Sequence, residues 1–318
     1  MKACTIIALN MVLSACGSPR SAPVSNPSSV FGTLDFQLLG ERELGTDPLA
    51  LVMGAVMVVL PDPQSPPDTY AFPYCSGVQI GPRQVLTAAH CDRPGLIFNQ
   101  RRIAIQADVN KFTMERFGAS FRANFSGDMI PAATTSEKVA PIAAAAYKSS
   151  TLDFAVLVFP YDLGPTYLSL AHRTMPDAPR APAKIYGYPN GLPLTLAKNC
   201  RASPDEDHIH VRHDCDSLTG SSGGLIATED GQAMAIQLAG PGQNSPEYYD
   251  AHGTYEDAAA FAARRGCSKA SRPSDADDAR CLAALGLNTS LSLSAVAADL
   301  RDHAPPALAH ELLGDTAI

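Results

Sequence analysis

Apolar stretches of strand length, separated by turn residues, recur along the chain. Residues 49–60 are apolar and rich in Val and Met, and the prolines of residues 61–67 follow them. This pattern predicts a buried strand that ends in a loop. Residues 225–227 and 234–240 are also apolar and flank the turn-forming residues 229–231, which is the composition of a β-hairpin. The apolar pattern therefore predicts a chain built mainly from short strands.

Helical periodicity is found near the C terminus. Residues 292–302 carry apolar side chains at helical spacing, among them Leu293 and Leu300. Residues 255–265 and 275–285 are also helix-like, within a region rich in Ala and Asp. We therefore expect a few helices in addition to the strands.

The first residues have the form of a secretory signal. An apolar run follows Lys2 and ends in Leu-Ser-Ala-Cys at residues 13–16, which resembles the bacterial lipobox. Residues 1–15 are then a signal peptide, and residues 16–47 a tether and N-terminal arm lipidated at Cys16. We expect export to the bacterial cell envelope, as an outer-membrane lipoprotein facing the periplasm or the surface. The alternative is an ordinary signal peptide and secretion.

Composition and charge narrow the class of protein. The chain has 318 residues, of which 46% are hydrophobic and 18% charged, so it can form one large or two ordinary domains. Its net charge is -8 and its sequence pI is about 5.4. Proteins that bind nucleic acid or anionic membrane surfaces need clustered Lys and Arg, so this balance argues against such partners.

Cysteine usage fits an exported protein. If Cys4 is removed with the signal and Cys16 carries lipid, six of the eight cysteines remain. An even set in an exported chain indicates disulfides, although several connectivities are open. Proximity in sequence favours these pairs: Cys75 with Cys91, Cys200 with Cys215, and Cys267 with Cys281.

Two segments carry candidate chemistry. In residues 218–224 a serine pair stands between glycines, as a nucleophile on a tight turn requires, although Gly/Ser runs also form ordinary loops. Residues 87–91 read Thr-Ala-Ala-His-Cys. This second segment resembles the catalytic-histidine segment of the trypsin-like (chymotrypsin-fold) serine peptidases, and Cys75 stands where the family has the partner of Cys91.

The resemblance extends to a third residue. Asp153 opens the apolar run of residues 153–159, as the catalytic aspartate does in this family. An aspartate that leads a buried strand needs hydrogen-bond donors, and a histidine N–H is a suitable one. By itself, Asp153 would be interpreted as a strand cap or turn residue. The order His90, Asp153, Ser222 is the order of the family.

The resemblance implies an all-β fold of two six-stranded antiparallel β-barrels. Residues 48–160 would form the first barrel, with His90 and Asp153, and residues 161–318 the second, with Ser222 and a C-terminal helix. Residues 241–286 depart from the family pattern, and we expect a helical insertion closed by a disulfide there.

The implied reaction is hydrolysis of peptide bonds in a protein or peptide substrate. Ser222 would attack the carbonyl, His90 would transfer the proton and Asp153 would orient the imidazole. The amides of Gly220 and Ser222 would form the oxyanion hole. No cofactor or metal is required.

Activation and specificity depend on neighbouring residues. Ser221 stands where the digestive and clotting branch has an aspartate that binds a new N-terminal ammonium, so that activation route is not expected. In this respect the chain looks closer to bacterial glutamyl-endopeptidase-type members. Asp216 lies where trypsin-like enzymes select Arg or Lys, whereas Gln237 stands where glutamate-selective members have a histidine. The sequence leaves this preference open.

The sequence is also compatible with two other classes of function. The first is a non-catalytic surface lipoprotein that uses the peptidase fold as a binding module. The second is a metal-dependent surface protein that uses His208, His210 and His213, of which the first two would share a face on a strand. We identify no second ligand pair at a zinc-like spacing, so the prediction includes no metal.

The lipobox predicts a modification that can be measured. Mass spectrometry of the N-terminal peptide of the mature protein is expected to find a diacylglyceryl group on Cys16. The Cys16→Ser variant is the control, and it should be released from membranes. An unmodified Cys16, or a mature chain that begins elsewhere, would contradict the lipid anchor.

Overall fold

A computed structural model describes most of the strand-forming parts of the chain. The described residues are 36–39, 46–61, 69–92, 96–100, 130–131, 145–171, 180–189, 194–218, 220–240 and 288–314. Cys16, Cys267, Cys281 and the expected insertion at residues 241–286 lie outside them. Among the described residues, no helix has the length and apolar character needed to cross a membrane.

Fourteen strands and three helices are described, numbered here in chain order. They are β1 (Gln37–Leu38), α1 (Pro48–Leu51), β2 (Met53–Pro61), β3 (Thr69–Gln79), β4 (Gln84–Thr87), β5 (Leu96–Gln100), β6 (Ile130–Pro131), β7 (Ala145–Lys148), β8 (Ala155–Val158), β9 (Ala181–Gly187), β10 (Thr195–Pro204), β11 (His210–His213), β12 (Leu225–Thr228), β13 (Ala233–Ala239), β14 (Asn288–Ser292), α2 (Leu293–His303) and α3 (Pro306–Leu313). The prediction of a mainly β chain with few helices is confirmed.

The C-terminal strands form a closed antiparallel barrel. Its six strands follow the order β9-β10-β11-β14-β13-β12, and β12 pairs with β9 to close the ring. The β12–β13 hairpin turns at Gly231, whose φ of 94° is a conformation that glycine adopts without a steric penalty. The hairpin predicted around residues 229–231 is therefore present.

The N-terminal strands form a second antiparallel sheet. Its order is β5-β2-β3-β4-β8-β7, with β6 also paired to β3. Within the described part of the chain, its end strands β5 and β7 do not pair, so the sheet is open. Of the two closed barrels expected, the described residues therefore show one closed barrel and one sheet that they leave open. The segments between β5 and β7, apart from residues 130–131, lie outside the described residues.

The start of the N-terminal sheet differs from the prediction. The expected strand at residues 49–60 begins with the helical turn α1, and β2 follows it at Met53. Asp47 caps α1 by accepting a hydrogen bond from the amide of Leu49 at 3.1 Å, and Pro48 occupies the first turn. Capping and proline favour a helix start here, although the residues are apolar enough for a strand.

The C-terminal helices join the two sheets. The predicted helix at residues 292–302 corresponds to α2, whose cap Ser292 accepts from the amide of Ala295 at 3.1 Å. Tyr147 of β7 donates a hydrogen bond to Asp299 of α2 at 2.6 Å. Burial, together with this bond, raises the pKa of Tyr147 to about 12. The helices therefore pack on the closed barrel and are also bonded to the N-terminal sheet.

The hydrophobic core is continuous between the two sheets. One cluster of buried side chains includes Val56 and Val156 from the N-terminal sheet, Tyr186 and Ile236 from the barrel, and Leu300 from α2. Two of the three proposed disulfides are present, Cys75–Cys91 and Cys200–Cys215. The core and the helices hold the sheets together, and residues of both sheets meet at the candidate site.

Candidate active site

His90 lies in a single helical turn that directly follows β4. The turn spans Ala89–Cys91, and Cys91 is disulfide-bonded to Cys75 on β3. The flanking residues Ala89 and Cys91 are buried, whereas the imidazole of His90 is 40% exposed. The turn is therefore fixed to the sheet by its neighbours while the imidazole faces solvent.

Asp153 binds His90 through both carboxylate oxygens. Oδ2 lies 2.7 Å from Nδ1 of His90, and Oδ1 accepts from the backbone amide of His90 at 3.0 Å. Burial raises the pKa of Asp153, but the hydrogen bonds from His90 and the attraction of its imidazole outweigh burial and lower the pKa overall. An ionised Asp153 accepts a hydrogen bond from Nδ1–H of His90, which leaves Nε2 of the neutral imidazole as a proton acceptor.

Ser222 lies in a tight turn, here called the nucleophile loop, formed by residues 218–224 with Thr219 outside the described residues. Ser221 organises this loop, because its Oγ accepts from the amide of Leu218 at 3.1 Å and its amide donates to the Leu218 carbonyl at 2.9 Å. Gly220 and Gly223 have φ values of 91° and 80°. Both conformations favour glycine.

The nucleophile loop packs against β13. The amide of Gly223 donates to the carbonyl of Gln237, and the amide of Gln237 to the carbonyl of Gly224, both at 2.7 Å. The hydroxyl of Ser222 donates to the carbonyl of Leu238 at 3.2 Å. The structure thus brings His90 and Asp153 into contact, whereas the hydrogen-bond partner of the Ser222 hydroxyl is the backbone of β13.

Ser76 is a site residue that the sequence analysis missed. Its backbone amide donates to the carbonyl of Ser222 at 2.8 Å, and its hydroxyl donates to the carbonyl of Gly220 at the same distance. A Cβ added to Gly223 would lie 2.1 Å from the Ser76 carbonyl, so only glycine fits against it. The position beside Cys75 was the only sequence signal for Ser76.

The two specificity candidates, Asp216 and Gln237, are both buried. Asp216 has no exposed surface, and Gln237 is 2% exposed. Oε1 of Gln237 lies 2.6 Å from Nε2 of His213 and accepts from the hydroxyl of Ser290 at 3.0 Å. The sequence analysis missed this buried group because its members come from three different strands.

His213 is neutral in this environment. Its Nδ1 accepts from the amide of Cys215 at 3.2 Å, and the amide oxygen of Gln237 requires a proton on Nε2. Burial lowers the pKa of His213 to about 4, although the hydrogen bond to Gln237 acts in the opposite direction.

The histidines considered for a metal site have separate environments. His208 lies in the turn before β11 with a φ of 55°, so it does not share a strand face with His210 as expected. His210 is bonded to Asp207 at 2.5 Å. In the described ranges, the only close group of potential metal ligands is Cys75, His90 and Cys91, whose two thiols form the disulfide.

A family model for the trypsin-like peptidase domain matches residues 75–236. This match covers half of the chain and includes His90, Asp153 and Ser222. The chain therefore belongs to the trypsin-like peptidase family.

Solved peptidase structures are similar to the chain at low identity. The inactive form of the Rv3671c protease, from M. tuberculosis H37Rv, is 16% identical with a TM-score of 0.41, covering 80% of this chain and 89% of that one. The HtrA-type protease AlgW with a decapeptide is 12% identical with a TM-score of 0.46, covering 82% and 67%. A Glu endopeptidase in complex with MPD is 12% identical with a TM-score of 0.43, covering 86% and 98%. Among curated proteins, none matches the chain significantly.

The low pKa of His213 predicts a pH-dependent stability. The unfolded chain binds a proton on this histidine below its ordinary pKa of 6.5, whereas the folded chain does so only near 4. The free energy of unfolding should therefore be highest above pH 6.5 and fall by up to about 3 kcal/mol as the pH decreases to about 4. Urea unfolding at a series of pH values measures this change.

The matched variants are His213→Gln and His208→Asn. His213→Gln should flatten the pH dependence in this range, while His208→Asn should keep the wild-type slope because His208 is exposed. Asparagine also tolerates the positive φ at position 208. An unchanged slope in His213→Gln would refute the assignment.

Proposed function

We propose that this chain is a serine endopeptidase that hydrolyses peptide bonds through an acyl-enzyme formed on Ser222. The observation that carries the proposal is the two-point contact between His90 and Asp153, which leaves Nε2 of His90 as an acceptor. Strand β3 of the same sheet is bonded through Ser76 to the loop of Ser222. The sheet that carries the proposed base is thus bonded, through β3, to the loop that carries the proposed nucleophile.

The proposed reaction begins with attack of the Ser222 oxygen on the substrate carbonyl. Nε2 of His90 takes the hydroxyl proton, and Asp153 stabilises the imidazolium that forms. The amides of Gly220 and Ser222 bind the negative oxygen of the tetrahedral intermediate. The imidazolium then protonates the leaving amine, the peptide C–N bond breaks, and water hydrolyses the acyl-enzyme by the same route.

The contact of the Ser222 hydroxyl with Leu238 is compatible with this reaction. Rotation of the serine side chain about its Cα–Cβ bond redirects the hydroxyl without moving the loop. Catalytic hydrogen bonds commonly shorten or align only when substrate is bound. The competing proposal is a non-catalytic lipoprotein in which the same contact keeps the serine unreactive.

Ser221 supports a loop that needs no activating N terminus. A serine cannot bind an ammonium group as an aspartate does, and here its hydroxyl and amide are bonded to Leu218. This arrangement is the reason to place the chain with bacterial members of the glutamyl-endopeptidase type. The proposal also includes export and a lipid anchor at Cys16. An acylated N terminus has no free ammonium group, so it could not activate the loop by binding to it.

An active-site probe distinguishes the two proposals. A fluorophosphonate probe is expected to label Ser222 in the folded wild-type protein, with no labelling in Ser222→Ala or His90→Ala. Hydrolysis of a general peptide or protein substrate should fall by at least about 10³-fold in either variant. Folded wild-type protein that does not react with the probe would refute the peptidase proposal.

The proposed residue preference rests on Asp216. We expect a peptide-library profile to show cleavage after Arg or Lys, with that preference lost in Asp216→Asn. Asp216 has no exposed surface, so the residues that cover it have to move before a basic substrate side chain can reach it.

The matched control for this profile is Asp214→Asn. Asp214 is also buried, and because its Oδ1 accepts from the amide of Arg201 at 2.6 Å we expect its role to be structural. The Asp214→Asn profile should equal that of the wild type. A wild-type profile without preference for Arg or Lys would remove the role given to Asp216.

A further inference from the structure

Among the described residues, Ser76 has four hydrogen-bond partners, three of which lie outside the N-terminal sheet. Its amide donates to the Ser222 carbonyl and its hydroxyl to the Gly220 carbonyl, both at 2.8 Å. Its hydroxyl also accepts from the amide of Tyr188 at 2.9 Å. Its carbonyl accepts from the hydroxyl of Thr87 at 2.7 Å. The side chain has no exposed surface, so water does not compete for these bonds.

The direction of the Ser76 hydroxyl proton follows from its partners. The amide of Tyr188 can only donate, and the carbonyl of Gly220 can only accept. The hydroxyl therefore accepts from Tyr188 and directs its single proton to Gly220. A Cβ added to Gly187 would lie 3.1 Å from the Ser76 oxygen, so Gly187 packs closely against the hydroxyl. Ser76 thus holds the Gly220 carbonyl in one direction.

The direction of the Gly220 carbonyl matters because of the amide on the same residue. Glycine loses more conformational freedom on ordering than any other residue, and Gly220 has a φ of 91°. The carbonyl and the amide belong to the two peptide planes that meet at its Cα. The Ser76 bonds hold the carbonyls of Gly220 and Ser222, and each of these carbonyls lies in the peptide plane that directly follows the one carrying the amide of the same residue. Fixing these two planes limits the backbone rotation that is open to the Gly220 and Ser222 amides beside them.

The same residue is coupled to the catalytic-base candidate. Ser76 follows Cys75, whose disulfide to Cys91 fixes the turn that carries His90. A short covalent path therefore connects the imidazole to the residue that holds the nucleophile loop. Movement of the loop relative to His90 would break both Ser76 bonds to it.

We propose that Ser76 is a positioning residue that orients the oxyanion-hole amides of Gly220 and Ser222 from the opposite sheet. This inference rests on the proposed peptidase function. Ser221 cannot provide the ion pair that orders this loop in relatives with an aspartate, and the neutral bonds of Ser76 serve the same purpose. They require no cleavage of the chain.

The test is the burst of p-nitrophenol from p-nitrophenyl acetate, which reports acylation. Active sites are counted from the burst amplitude, so the rate refers only to folded, reactive enzyme. In Ser76→Ala the acylation rate constant should fall about 10- to 100-fold, less than for loss of an oxyanion donor itself. The half-saturating ester concentration should change by less than about threefold, because ground-state binding does not use the Gly220 carbonyl.

An isosteric pair separates the hydroxyl from packing. Ser76→Thr keeps the hydroxyl, and Ser76→Val has the shape of threonine without a hydroxyl. The acylation rate constant of Ser76→Thr should therefore exceed that of Ser76→Val about 10- to 100-fold, the factor expected for Ser76→Ala. This pair also provides the test if Ser76→Ala does not fold. Tyr147→Phe is the control for loss of a hydrogen bond between elements. It removes the bond from Tyr147 to Asp299, and both residues are distant in sequence from the nucleophile loop. It should lower the melting temperature and leave acylation unchanged.

The outcomes are distinguishable. An acylation rate in Ser76→Ala within about twofold of the wild type would overturn the role of Ser76 and leave the peptidase proposal intact. Equal rates in Ser76→Thr and Ser76→Val, or an equal fall in Tyr147→Phe, would also overturn it. A wild-type protein without a burst and without fluorophosphonate labelling would refute the proposed function itself.

Discussion

The geometry of the nucleophile loop depends on hydrogen bonds that the loop cannot make with itself. Its glycines allow a tight turn, but a turn leaves some backbone amides and carbonyls without partners in regular secondary structure. When the turn is buried, these groups need hydrogen bonds from other residues. Ser221 pairs with Leu218 inside the loop, β13 pairs with Gly223 and Gly224, and Ser76 pairs with Gly220 and Ser222. Because these partners come from both sheets, the loop has a fixed shape only when the two sheets are packed together.

The dependence of the loop on both sheets explains several features of the residues around it. The shared core and the bonds from the C-terminal helices to the N-terminal sheet keep the two sheets packed in a fixed arrangement. The Cys75–Cys91 disulfide then places His90 relative to Ser76. Gly223 has to be glycine because the Ser76 carbonyl leaves no room for a side chain. The candidate base and the candidate nucleophile are thus positioned by the same contact between sheets.

Two histidines near the site illustrate how environment decides chemistry. His90 is partly exposed and bonded to a carboxylate, which suits an imidazole that gains and loses a proton. His213 is fully buried and bonded to the neutral amide of Gln237, and its pKa is lowered to about 4. The first fits proton transfer, and the second fits a neutral polar support behind the nucleophile loop.

Features fixed by neighbouring residues in the chain were predictable from the sequence. The hairpin around Gly231 and the helix capped by Ser292 depend on local patterns. The helical start of α1 was missed because the apolar pattern outweighed the signal of Asp47 and Pro48. The pairing of β1 with β10 was not predicted, because a two-residue strand has no periodicity of its own.

Contacts between distant segments could not be predicted in the same way. Ser76 and Gly220 are 144 residues apart, and His213 and Ser290 are 77 apart. A serine beside a cysteine carries no local mark of such a partner. The family resemblance indicated the three triad candidates and the Cys75–Cys91 pair, but not Ser76, because the contacts of Ser76 depend on how the two sheets pack.

The most direct test of this account is a crystal structure of the fluorophosphonate-treated protein. We predict phosphorus bonded to the Ser222 oxygen, with one phosphonyl oxygen within hydrogen-bond distance of the amides of Gly220 and Ser222. The hydroxyl of Ser76 should still donate to the Gly220 carbonyl. An adduct on another residue, or a phosphonyl oxygen directed away from these amides, would contradict the account.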